Sequence, residues 1–118
     1  MSTIGDLSKV FSKLIQKLNK AKDYISPVYV EYYLKLYLVI YNEFIKDLNV
    51  KRSISMTNIL ITALENSYGR DKSIIYGARF IKNNILNFVD NEQCQQETKN
   101  IVDKFYSEVI NTHIEIYS

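Results

Sequence analysis

Apolar residues recur every three to four positions along most of the chain, in five blocks separated by short polar interruptions. That period is the mark of amphipathic helices. In the first block, Met1 to Ile25, the residues Ile4, Leu7, Val10 with Phe11, Leu14 and Leu18 make one stripe, backed by Lys9, Lys13, Lys17 and Lys20. Thr3 or Ser2 can cap it. The second block, Ser26 to about Leu48, reads SPVYVEYYLKLYLVIYNEFIKDL. It is too long for a strand, since strands run about 3–10 residues. Ser26 is a good N-cap and Pro27 falls at the first helical position, where a missing N–H costs nothing. Glu31, Lys35, Asn42 and Lys46 keep to one helical face, and Glu31 with Lys35 is a favourable i,i+4 pair. Almost everything else on this helix is apolar or aromatic. It is therefore expected to be covered over most of its circumference, with the other helices packed around it.

After a short connection at Asn49 to Arg52, a third helix is expected from Ser53 to Tyr68. Ser53 or Ser55 would start it, and Gly69 would stop it where helices favour a left-handed residue. It carries two stripes, one of Met56, Ile59 with Leu60, and Ala63, the other of Ile54, Ile61, Leu64 and Tyr68. The second stripe has two readings: contact with a later helix of the same chain, or a groove that receives a partner helix. The fourth helix runs from Asp71, its cap, to Val89, with Ile74, Ile75, Ala78, Ile81, Ile85, Phe88 and Val89 inward. Gly77 in its interior is unfavourable by up to about 1 kcal/mol and allows a close helix crossing. Asp90-Asn91-Glu92-Gln93 has the form of a capping box for the last helix, which runs to about Ile116 with Ile101, Val102, Phe105, Val109 and Thr112 in its stripe. Its first two turns, Glu92 to Asn100, are almost wholly polar and are expected to project into solvent. The fold class is all-α: about five helices with short loops in an antiparallel bundle.

At 118 residues the chain is most naturally one domain. A net charge of +2 leaves no electrostatic footprint for nucleic acid. The lysine run of the first helix reads as a solvated face or as a basic rim for an acidic partner. The single Cys94 rules out an internal disulfide and suits a reducing compartment. The polar start, Met1 to Asp6, shows no signal peptide, and no segment offers the roughly 18 uncharged apolar residues of a membrane span. A soluble, cytoplasmic protein with no membrane insertion is expected. The three glycines are isolated, so no phosphate loop is present, and no paired Cys or metal-ligand cluster occurs. His113 is the only histidine and reads as a surface or packing residue; Cys94 has no His within helical reach and reads as inert. The ten tyrosines concentrate on the second helix, where packing accounts for them better than stacking on bases. The chain is read as no enzyme, with no cofactor and no metal.

Three pieces in register resemble one family. Tyr32-Tyr33-Leu34-Lys35-Leu36-Tyr37, preceded by Ala21-Lys22-Asp23 and Pro27-Val28, is similar to the start of the N-terminal domain of the Vta-one/LIP-five regulators of the Vps-four ATPase. Leu60-Ile61-Thr62-Ala63-Leu64-Glu65 resembles that family's third helix. Phe88-Val89-Asp90-Asn91-Glu92, followed by Lys99 to Tyr106, resembles its later turn and helix, with Val89 in place of the usual Ala and Gln93 in place of an acidic residue. The resemblance implies tandem MIT-like (microtubule-interacting and trafficking) modules: a three-helix module over residues 1–69, then a partial second module over 70–118 packed on it. The family's further helix and its distant ATPase-binding segment lie outside these 118 residues.

The resemblance also implies a partner. Such modules take up C-terminal helical tails of ESCRT-III subunits, in a groove whose matching positions here are Ile61 and Leu64; Tyr68 and Ile54 continue that stripe by geometry. The implied protein is a cytoplasmic adaptor recruited to endosomes in multivesicular body sorting, reaching a Vps-four-type AAA ATPase through a segment not present here. The competing reading is a self-associating helical bundle in which the same stripe is a homodimer face.

Overall fold

The computed structural model describes residues 2–67 and 73–117, with residues 73 and 113–117 described by backbone alone. Five α-helices follow one another: α1 Ile4–Ala21, α2 Pro27–Asp47, α3 Val50–Glu65, α4 Ser73–Asn84 and α5 Glu92–Tyr117. A 3-10 turn, Ile85–Phe88, closes α4. Among the described residues there is no strand.

Capping explains most of the boundaries. Thr3 and Asp6 form a reciprocal capping box at the start of α1. The Ser26 hydroxyl accepts from the Val28 N–H, and Pro27 takes the first turn of α2. Helix α3 starts earlier than Ser53. The Asn49 side chain accepts from the Arg52 N–H at 3.0 Å, so Asn49 is the cap and only Leu48 and Asn49 separate α2 from α3. Ser53 is buried instead, and its carbonyl accepts the Thr57 hydroxyl at 2.7 Å. At α5 the cap is Asn91, whose side chain accepts from the Gln93 and Cys94 N–H groups; the expected Asp90–Gln93 box does not form. Helix α4 ends before Val89 because the Asn84 amide bonds back to the Phe80 carbonyl, and the chain tightens into the 3-10 turn. The expected Asp71 cap and Gly69 stop lie outside the described residues.

The order of packing differs from the reading in which α2 sits at the centre. Helix α3 is central: α1, α2, α4 and the 3-10 turn all pack on it. Its buried residues Ser53, Met56, Thr57, Ile59, Leu60, Ile61, Ala63 and Leu64 leave only a narrow exposed face. Helix α5 packs on α2 and α4. One cluster of buried side chains runs from Leu14 of α1 to Val109 of α5, so the two halves of the chain share a core. The envelope of 48 × 30 × 19 Å is a slab about two helices thick. The first turns of α5 are polar and exposed except for Cys94 and Thr98, which turn inward one helical turn apart. Burial pushes the Cys94 thiol above its usual range, which leaves little thiolate there.

Aromatic rings fix how α5 meets α2. Phe105 lies against three tyrosines of α2: Tyr29, Tyr32 stacked at 5.2 Å, and Tyr33 edge-on at 5.5 Å. The Tyr32 hydroxyl donates to Glu108 at 2.5 Å. That bond, then burial, then the carboxylate charge push the Tyr32 phenol up to about 12. Arg52 ties the α2–α3 turn together by pairing with Asp47, and it reaches Asp90 at 3.9 Å.

Two predictions follow from this packing. At Gly77 α4 comes close against the C-terminal end of α3. A Cβ there would collide with the Ser67 hydroxyl and lie 2.8 Å from the Ala63 carbonyl, a backbone atom that cannot step aside. Gly77→Ala therefore lowers stability in urea unfolding by about 1–3 kcal/mol, although Ala is the better helix former. The second concerns pH. The raised Tyr32 value means its contribution to stability is whole below the unfolded phenol value near 10 and is lost as pH rises through about 12. Burial also raises the Tyr37 phenol, so ultraviolet titration shows late tyrosine ionisation, and Tyr32→Phe removes the part of it near pH 12.

Candidate docking surface

Ile61 and Leu64 of the α3 stripe do not form a surface. Ile61 is 3 % exposed and Leu64 is fully buried, both within the shared core. Ile54 is half-buried, and Tyr68 lies outside the described residues. Ile61 and Leu64 are covered from within the chain, because α3 has neighbours on both sides. Leu64→Asp is therefore a test of the core and not of a binding groove. A carboxylate there would be buried without a partner and would unfold the bundle.

Exposed apolar surface gathers on α2 instead. Leu34, Leu38, Tyr41, Ile45 and Leu48 follow one another at spacings of 4, 3, 4 and 3, one continuous line about 21 Å long. Leu38 is 55 %, Ile45 57 % and Leu48 66 % exposed. The opposite side of α2, with Tyr33, Leu36 and Ile40, is in the core. The polar face of Glu31, Lys35, Asn42 and Lys46 borders the line on its outer side. On its inner side lies α1. Phe11 packs edge-on against Tyr37 at 5.2 Å and beside Tyr41 at 6.3 Å, which joins the two helices through rings. Ile4 and Ile15, both exposed, share the flank of α1 that carries Phe11, at spacings of seven and four residues. The result is one apolar face built from α1 and α2.

The rim of this face is close to neutral. Lys35 pairs with Glu31 at 3.9 Å and Lys46 with Glu43 at 3.6 Å. Further along α1, Lys17 reaches Glu65 of α3 at 3.3 Å, so part of the lysine run serves internal pairing. Leu48 adds a second kind of observation. It holds a left-handed backbone, φ 55°, at the C-cap of α2. Folding alone favours Gly or Asn at such a position. A leucine that is both strained and exposed contributes little to the monomer.

Two open clefts of mixed polar and apolar lining lie elsewhere among the described residues. One lies between Tyr32 and the α5 residues Asp103, Ser107, Glu108 and Asn111; another lies beside Tyr76, Arg79 and Asn83 of α4. Among the described residues no group of His, Cys, Asp and Glu could hold a metal, and no helix is long and apolar enough to cross a membrane. No family model matches the chain, and neither a curated protein nor a solved structure does.

The division between core and surface has a direct consequence. Leu64→Ala lowers stability by about 2–5 kcal/mol in chemical unfolding. Leu38→Ala changes it by less than about 0.5 kcal/mol. Equal losses at the two positions would place both in the core.

Proposed function

We propose that this chain is a non-catalytic helical adaptor that holds an amphipathic helix of another protein on the α1/α2 face. The observation that carries this reading is the ladder of Leu34, Leu38, Tyr41, Ile45 and Leu48, apolar at helical spacing and open to solvent. A contiguous apolar patch of this kind is characteristic of interaction sites, and a helix laid along it would use the helix-in-groove mode. The resemblance to the Vta-one/LIP-five domain supplies the partner class: leucine-rich C-terminal tails of ESCRT-III subunits. The same resemblance supports recruitment to endosomes and regulation of a Vps-four-type ATPase by the full-length protein. The tail would lie on α1 and α2 rather than against Ile61 and Leu64, since α4 and α1 flank α3 on both sides.

Magnitudes agree with a transient complex. Covering the three most exposed side chains of the ladder, Leu38, Ile45 and Leu48, at about 1.5–3 kcal/mol each, less the cost of association and of ordering a tail, gives an affinity in the micromolar range. The test is a titration of this chain with fluorescent C-terminal helical peptides from each ESCRT-III subunit, read by anisotropy. Micromolar binding to one or two peptides is expected, weakened at least about tenfold in Leu38→Asp and in Ile45→Asp, with circular dichroism unchanged. Undiminished binding by both folded variants would move the site off this face. No binding of any peptide would remove the ESCRT-III partner.

A further inference from the structure

The α1/α2 face is two helices wide, and a single docked helix leaves part of it in water. We infer that its occupant in the absence of a tail is a second copy of this chain, packed face to face as an antiparallel four-helix layer.

Three observations carry this. The first is area. Seven large apolar side chains, Ile4, Ile15, Leu34, Leu38, Tyr41, Ile45 and Leu48, are open on one copy, enough for the apolar centre of a standard interface of about 800 Å² per partner. The second is register. The ladder reads nearly the same in both directions about Tyr41. In an antiparallel pair, Leu34 of one copy meets Leu48 of the other, Leu38 meets Ile45, and Tyr41 meets itself on the two-fold axis. Phe11 packs beside Tyr41, so the same axis passes near it and brings Ile4 toward Ile15 of the second copy. This is the self-complementary arrangement that a two-fold interface requires. The third is charge. The rim lysines Lys35 and Lys46 are each paired within their own chain, so two copies meet without a like-charge barrier. The left-handed Leu48 stands at the end of the ladder, where its exposed side chain would be buried by the partner.

A copy seated here excludes a tail from the same face. Dimer and tail-bound monomer are then alternatives, and a tail would compete with self-association. The dimer itself does not depend on which tail binds.

The test is sedimentation velocity of the chain alone over a range of concentrations, with two sets of variants. The native chain is expected to shift from monomer to dimer as concentration rises. Leu38→Glu with Ile45→Glu weakens dimerisation by roughly a hundredfold or more, because each charge would be buried unpaired; circular dichroism stays native, since both side chains are exposed in the monomer. Under mild oxidation Tyr41→Cys cross-links to itself across the axis. Leu34→Cys does not, because its two copies stand about 21 Å apart along the antiparallel pair. The native Cys94 is buried and stays silent. A chain that remains monomeric up to millimolar concentration overturns the inference and leaves a helix of another protein as the occupant. So does a dimer that forms equally well in the Leu38→Glu, Ile45→Glu variant, or one that cross-links through Leu34→Cys rather than Tyr41→Cys.

Discussion

The structure depends on the need of α3 to be covered on both sides. Its sixteen residues bury eight, spread over more than half of the helix circumference. One neighbour cannot do that, so α1 and α2 take one part and α4 with its 3-10 turn takes another. Gly77 lets α4 come close enough, since its missing side chain leaves room for the Ser67 hydroxyl to bond the Ala63 carbonyl. Once α3 holds the centre, α2 must lie at an edge. It gives its tyrosines Tyr29, Tyr32 and Tyr33 to Phe105 of α5 and its Tyr37 to Phe11 of α1, and it has one apolar flank left over. This apolar face is in that sense a by-product of where the core is satisfied, and its chemistry follows from the residues stranded there.

Much of the fold was legible in the chain. The helix count, the Ser26 and Pro27 start, the Thr3 cap and the inward residues of α4 and α5 all came from period and capping chemistry. The misplaced ends have a common cause. Asn49, Ser53 and Ser55 are all good caps, as are Asp90 and Asn91, and contacts with the rest of the fold made the choice among them. Ser53 faces the core and Asp90 faces Arg52, which left Asn49 and Asn91 to cap. The change from α-helix to 3-10 turn after Asn84 was hidden because Ile85, Phe88 and Val89 continue the apolar period without a break.

The site was harder to read, for a physical reason. Two helices, α2 and α3, carried more apolar surface than a simple bundle needs, and the pattern alone does not say which of them the chain will surround. Ile61 and Leu64 were the plausible anchors only if α3 lay at the edge. With α3 inside, the excess belongs to α2. The signal was present in the spacing of Leu34, Leu38, Tyr41, Ile45 and Leu48, a heptad-like line beside the polar face of Glu31, Lys35, Asn42 and Lys46. It was masked by the general greasiness of that helix, which made coverage all round look necessary. Leu48, in a backbone conformation that leucine rarely adopts, adds a cue that only the three-dimensional structure gives.

In the dilute chain the α1/α2 face is open, while Ile61 and Leu64 are internal. Hydroxyl-radical footprinting read by mass spectrometry, on dilute and on concentrated protein, measures both at once. Strong labelling of Leu34, Leu38, Tyr41 and Ile45 is expected in dilute solution, with loss of that labelling on concentration and no labelling of Ile61 or Leu64 at any concentration. Labelling of Ile61 and Leu64 in the dilute folded chain, with Leu38 and Ile45 protected throughout, would contradict this arrangement.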